Sequence, residues 1–304
     1  RFEQEAADLL AEGREAEQAG RLREAHASGR RLMHVWPALP EGRAFIDSMQ
    51  KKHPRVVVGV TLLGATGGPG LLYDWGARRS NRLVNRTLME FVGRGSEGGK
   101  YFCPFGDMQI EELGLRLAFQ VLPERCRSVG APSLTGYGLA RRLLAMGDPQ
   151  DPAFRLDWAE LLDRISVRKV YSVDADLRRP HVRPEALLRT VVLRESGDAS
   201  ASTGPYVVES QSEEEAVYTA NADYSGETSQ PREIVEHYYR KATKAVTALE
   251  RRQIDVLDRV NPWDLERIRS VKGMKVLRYA APTVHCLIPN LERPFTARRE
   301  FRRA

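Results

Sequence analysis

Along residues 2–36, apolar and small residues recur at helical spacing. Ala6, Leu9, Leu10, Gly13 and Ala16 form one stripe, Gly20 interrupts it, and Leu22, Ala25, Gly29, Leu32 and Met33 restart it before Pro37. This period predicts two helices joined at Gly20. The polar run from Asp47 to His53 reads as a linker. The pattern then changes. Arg55–Val60 (RVVVGV) is short, apolar and β-branched, which predicts a buried strand. Ser80–Val92 reads as a helix or turn running into a short strand, and Lys100–Leu122 as strand-rich, with Leu115, Leu117, Phe119 and Val121 alternating. Thr135 is placed to cap a helix through Met146, closed by Gly147. Asp157 with Glu160 predicts a capping box for a second short helix. VRKVYSVDADL alternates through Val167, Tyr171, Val173, Ala175 and Leu177 as a half-buried strand, and the prolines of RRPHVRPEALL predict an irregular start to a helix.

From Thr203 to Tyr224 the chain writes Gly-Pro-Tyr, a short apolar strand, an acidic turn at Glu213–Glu215, a second strand and Asn-x-x-Tyr, a β-hairpin with polar punctuation. Pro231 reads as the start of a long amphipathic helix with Ile234, Tyr238, Ala242, Ala245 and Leu249 on one face. A strand QIDVLD follows. Asn261-Pro262 then opens a short helix with Trp263, Leu265 and Ile268 inside, and MKVLRY and TVHCLIPN read as strands. The order is mixed α/β without a simple βαβ repeat.

The chain has 304 residues, enough for about two domains. Its 47 basic and 41 acidic residues, net +6, are well mixed. No basic stripe carries interleaved aromatics, so nucleic acid is not the expected partner. Cys103, Cys126 and Cys286 are odd in number, distant in sequence and without a Cys-x-x-Cys pair, and each reads as a buried thiol. No run of about 18 apolar residues exists to span a membrane. The chain opens on Arg1 and its last residues read as the first turns of a helix, so sequence beyond both ends is expected.

Candidate chemistry is sparse. The Gly64–Gly70 loop follows a strand but lacks both G-x-G-x-x-G and Gly-Lys-Ser/Thr, so it reads as a turn rather than a phosphate cradle. The histidines at 26, 34, 53, 181, 237 and 285 are scattered, and His285 and Cys286, adjacent on a strand, face opposite ways. Asp174 and Asp176 share a strand face without further ligands. Arg78 and Arg79 with Asp74 read as a local surface ion cluster. We expect no catalytic residues, no metal and no cofactor.

Two resemblances organise these observations. Gly13, Gly20, Ala25 and Pro37 fall where a tetratricopeptide repeat has its small-residue, turn and terminal-proline positions, so residues 1–46 resemble one such helical hairpin. From about Arg55 onward, LMEFV, GLRLAFQV, LTGYGLARRLL, VYSVDADLRRPHVRPEALL, Gly204-Pro205-Tyr206 with Asn221 and Tyr224, Glu233-Ile-Val, Ile254-Asp255-Val256, Asn290 and Pro294 occur in sequence order. In that order they resemble the family 5 extracellular solute-binding proteins, the oligopeptide-, dipeptide- and nickel-binding components of ABC importers. The chain departs from that pattern at Thr135-Gly136-Tyr137-Gly138, where the family's helix usually opens Thr-Ala-x-Asp, and at Arg251-Arg252-Gln253, where it often has a glycine.

The resemblance implies an α/β, mixed-sheet lobe of a two-lobe periplasmic-binding-protein-like fold. It divides the chain into a helical hairpin at 1–46, lobe one at 54–282, and a crossing strand with the start of lobe two at 283–304. It implies a monomeric binding protein, not an enzyme, that takes an oligopeptide or other small solute outside the cytoplasmic membrane. Such a protein delivers to ABC permease subunits and is held at the membrane by a segment before Arg1. It further implies Glu90 as a ligand contact and Val92 as a main-chain contact. Trp75 and Tyr73 are candidates for stacking on a ligand, against the alternative of packing in the core. The alternative is an interaction or sensor protein that joins helical repeats to a binding-protein lobe.

Overall fold

The structure is a computed structural model. It describes residues 2–36, 38–64, 75–95, 98–126, 134–190, 192, 203–224, 231–279 and 290–303. The chain divides into a unit of residues 1–262 and a smaller unit of residues 263–304.

The first unit opens with three helices: α1 (Phe2–Gln18), α2 (Leu22–Val35) and α3 (Pro40–Lys52). The first two and the break at Gly20 follow the apolar period. The third replaces the expected polar linker. Pro40 sits in its first turn, Phe45 and Met49 are one turn apart, and both are buried with Leu10, Ala25 and Leu32. The helical region therefore runs to Lys52, past the boundary drawn at residue 46.

Strand β1 (Arg55–Val60) follows directly. After it come α4 (Trp75–Val84), the hairpin β2 (Glu90–Gly95) and β3 (Gly98–Phe102), and the strands β4 (Gly106–Glu111) and β5 (Arg116–Val121). Trp75–Ser80 forms the first turns of α4, with Gly76, Ala77 and Ser80 buried. Helix α5 (Gly136–Ala145) begins as expected, Thr135 Oγ1 accepting from the Gly138 N–H at 3.2 Å. The capping box at Asp157 does not form. Helix α6 (Leu156–Ala159) starts one residue earlier, and the Asp157 carboxylate accepts from Trp158 N and Arg155 instead. The alternating stretch after it is a hairpin rather than one strand, β6 (Leu162–Lys169) turning at Val170-Tyr171 into β7 (Ser172–Leu177). Pro184–Leu188 is a short 3-10 helix.

The remaining strands are β8 (Tyr206–Gln211), β9 (Glu215–Ala220), β10 (Glu233–Tyr238) and β11 (Val256–Leu257), with α7 (Ala242–Glu250) between the last two. The expected long helix from Pro231 is therefore split. Ile234 and Tyr238 lie four apart by coincidence, and Glu233–Tyr238 instead pairs in parallel with β1.

Among the described residues the strands form three sheets, the two-stranded β2–β3 ribbon and two large ones. One has the order β11-β1-β10-β9-β8, with β1 parallel to both β11 and β10, and β10-β9-β8 antiparallel. Gly59 of β1 has no side chain because the Ile254 side chain occupies that space. The other sheet is antiparallel, β4-β5-β7-β6. Its inner face buries Leu117, Phe119, Val173 and Ala175 with Leu139, Leu143 and Met146, and with Trp158, whose indole N–H donates to Leu143 O at 2.9 Å.

In the second unit, α8 (Leu265–Arg269) follows a 3-10 turn at Pro262–Asp264, and α9 is Arg299–Arg303. Ile268 is buried as expected, but Trp263 is 75% exposed. Met274–Tyr279 is not a strand, and most of TVHCLIPN, with His285 and Cys286, lies outside the described residues.

Candidate functional site

The Gly-Pro-Tyr and Asn-x-x-Tyr segments close on each other. Asn221 Nδ2 donates to Gly204 O at 2.8 Å, the Asn221 main-chain N–H donates to Pro205 O, and Tyr206 Oη donates to Pro231 O at 2.7 Å. Gly204 sits against the end of α4, its N–H donating to Val84 O at 2.9 Å. A Cβ there would lie 2.5 Å from Leu83 O, so no side chain fits. The preceding Thr203 Oγ1 accepts from the Arg86 N–H at 2.9 Å, and Tyr224 places its ring under the Arg86 guanidinium, 5.5 Å from its centroid. The hairpin motif thus fixes Arg86 from both sides.

Arg86 in turn holds Glu90 with two hydrogen bonds, 2.8 and 3.1 Å. Burial pushes the Arg86 guanidinium down, but the Glu90 carboxylate outweighs it and the net shift is upward. Glu90 is therefore a charge already neutralised on one side, so a ligand ammonium would have to share it with Arg86. Glu90 opens β2, which among the described residues pairs with β3 alone in a two-stranded sheet. The register slips between Phe91 and Gly93, so Val92 is the bulged residue, and it is 62% exposed. Phe91 and Phe102 are also exposed.

Trp75 lies at a second location, beyond the carboxyl ends of the parallel strands. Its indole N–H donates to Asp258 Oδ2 at 2.9 Å, and the Arg259 guanidinium lies 5.4 Å over its ring. Asp258 also takes Arg79 Nη1 at 2.9 Å, while Arg79 binds the buried Glu236 of β10 through two nitrogens and donates to Leu62 O at 2.8 Å. Arg79 is thus no loose surface ion, as its neighbours in sequence suggested. It ties α4 to the ends of β1, β10 and β11. Beside it, Tyr218 Oη hydrogen-bonds Ser80 Oγ at 3.0 Å, and burial, then the nearby Glu236 charge, push the Tyr218 hydroxyl up to about 12. Open α/β sheets carry ligands at this edge, outside the carboxyl ends of parallel strands. Tyr73, Asp74 and the glycine loop from residue 65 lie outside the described residues.

Sequence reasoning named Glu90, Val92 and Trp75 but not the residues that position two of them, Arg86 for Glu90 and Asp258 for Trp75. Arg86 stands four residues before Glu90, a legible spacing on a helix, yet the pair forms across a turn. Asp174 and Asp176, weighed as cation ligands, face arginines instead. Asp176 pairs with Arg116 and Arg164 at 2.8 Å, and Asp174 with Arg168 at 2.8 Å. Among the described residues no group of three or more His, Cys, Asp or Glu is placed to hold a metal ion.

Residues 190–304 match the family of bacterial extracellular solute-binding proteins, family 5, middle region. No curated protein matches the chain. Among solved structures, the lobe is similar to NikZ of Campylobacter jejuni in complex with Ni(L-His), with TM-score 0.65 and 13% identity over 80% of this chain and 51% of that one. It is also similar to the oligopeptide-binding protein AppA of Bacillus subtilis in complex with a nonapeptide, with TM-score 0.61 and 14% identity over 73% and 47%. A third is the ABC transporter-associated periplasmic binding protein DppA of Helicobacter pylori in complex with the peptide STSA, with TM-score 0.60 and 14% identity over 72% and 49%. These likenesses show the fold alone, a mixed α/β arrangement shared with those structures. The chain spans about half the length of the structures it matches.

Proposed function

We propose that this chain is part of the substrate-binding component of an ABC-type importer, which takes an oligopeptide or related solute into a cleft between two lobes and performs no reaction on it. The observation that carries the reading is the fold, shared with proteins solved around a peptide or Ni(L-His), together with the family 5 segment at 190–304. The site geometry agrees with it. The carboxylate Glu90 pairs with Arg86, and Glu236 and Asp258 share Arg79, an arrangement that holds shape. The β2–β3 ribbon, two strands wide with exposed Phe91, Val92 and Phe102, offers main-chain edges to an extended ligand.

On this reading Glu90, Val92, Trp75 and Tyr73 line the ligand's path, the protein works as a monomer outside the cytoplasmic membrane, and a segment before Arg1 anchors it. No described helix is long and apolar enough to cross a membrane. The domain limits at 54–282 and 283–304 remain part of the proposal. Native mass spectrometry of the product of the whole reading frame, mixed with di- to nonapeptides, tests it. Peptide adducts are expected, and their absence at millimolar peptide, with the protein folded, would remove the reading.

One observation favours a second role for the N-terminal helices. They are pinned to the five-stranded sheet by charge, Arg23 to Glu209 and the buried Glu233, and Arg30 to Asp255 and to Gln253 O. A docked helical module of this kind suits an interaction or sensor protein, with tetratricopeptide-like packing. Deleting residues 1–52 distinguishes the two roles: peptide binding survives if the helices serve a separate partner.

A further inference from the structure

The cysteine spacing suggested three separate thiols, yet two of them, both free, share one apolar cluster. Cys103 lies between β3 and β4, and Cys126 follows the 3-10 turn Pro123–Arg125 after β5. Strands β4 and β5 pair antiparallel from Glu111–Arg116 at the turn to Gly106–Val121 at the open end. Beyond that last pair the two chains stay together. Leu122 N–H donates to Phe105 O at 2.9 Å, and Arg125 Nη1 donates to Gly106 O at 3.2 Å. The Cys126 thiol donates to the same Phe105 carbonyl at 3.4 Å. Cys103, two residues before Phe105, is buried beside it. Both cysteines pack in one apolar cluster with Phe105 and Leu134. Burial pushes both thiols up, Cys126 to about 12 with the neighbouring Cys103 as the next cause.

We propose that Cys103 and Cys126 are a modification site, closing to a disulfide that fastens the open end of the β4–β5 hairpin. The step is a thiol–disulfide exchange. One thiolate attacks a small-molecule disulfide or an oxidised Cys-x-x-Cys oxidoreductase, forming a mixed disulfide and expelling one thiolate of the oxidant. The second cysteine then attacks the protein sulfur of that mixed disulfide and expels the other thiolate. The two cysteines lose two electrons and two protons, and the oxidant leaves as two thiols. Buried, high-pKa thiols exchange slowly, so the bond forms as the chain folds rather than afterwards. Its formation in the cell rests on the export reading above, but its chemistry does not, and the test is therefore made in vitro.

The whole chain is refolded with glutathione disulfide, alkylated without reductant, digested and mapped by mass spectrometry. A peptide pair joining Cys103 to Cys126, short of two hydrogens, with Cys286 alkylated alone, is expected. Alkylation of both Cys103 and Cys126, or links to Cys286 or to a second chain, would overturn the proposal. A thermal readout keeps the test independent of any one variant's folding. Reductant should lower the melting temperature of Cys286→Ser by several degrees and leave Cys126→Ser/Cys286→Ser unmoved. An equal response in both variants counts against the bond.

Discussion

The two large sheets of the lobe handle charge in opposite ways. In the four-stranded sheet, alternation sorts the residues. Leu117, Phe119, Val173 and Ala175 point into an apolar core, while Arg116, Asp174 and Asp176 stay on the outer face with Arg164 and Arg168. In the five-stranded sheet the central strands are covered on both faces, and β10 carries two buried carboxylates, Glu233 and Glu236. They are three residues apart and so face opposite sides of the sheet. Glu233 meets Arg55 at 2.7 Å, Arg23 at 2.6 Å and His53 at 3.2 Å, toward the N-terminal helices. Glu236 meets Arg79, toward α4 and the candidate site. The first sheet supplies a core; the second uses ion pairs to attach other elements in defined places.

The sharpest way to break this contrast is to strand a charge. Arg79→Leu leaves the buried Glu236 carboxylate without its cation, and we expect a loss of about 3–5 kcal/mol in urea unfolding, most of it recovered in Glu236→Leu/Arg79→Leu. A loss no greater than that of a surface pair would end the distinction. In the apolar core, Leu143→Ala should cost about 2–5 kcal/mol by cavity formation, and no double variant at the ion pairs should rescue it.

A pH effect comes next. His26 is buried against Gln50, its Nε2 2.9 Å from Gln50 Oε1, and burial, the leading cause, lowers its pKa below the ordinary value. The unfolded chain then binds the proton more readily than the folded one, so stability is full above about pH 6.5 and falls as the pH drops toward the depressed value. His26→Gln should flatten the melting temperature across that window, and an unchanged slope would place the titration elsewhere. The smallest effect belongs to the outer face of the four-stranded sheet, where Arg168→Ala should change stability by less than about 1 kcal/mol.

The same contrast explains what could be read from sequence. Alternation located β5 and β7, and Thr135 announced α5, because burial on one face and capping are local rules. The hairpin of β8 and β9 was equally legible. Strand β10 was not, since its fully covered position mixes Glu233 and Glu236 with apolar residues and imitates a helical period. Helix α3 was hidden by its polar surface, though Phe45 and Met49 marked its inner face. At the candidate site, Glu90 and Trp75 could be named by resemblance and residue type. Their partners could not: Asp258 reaches Trp75 across 183 residues, and Tyr224 reaches Arg86 only because the hairpin brings it back.

In the proposed site the β2–β3 ribbon and the α4 end of the parallel strands face a bound solute. Hydrogen exchange of the chain with and without a millimolar peptide mixture, read by mass spectrometry, tests it most directly. Peptide should slow exchange in residues 75–84 and 90–102 and leave α1–α3 unchanged. Protection confined to the N-terminal helices, or none anywhere in the folded chain, would contradict the claim.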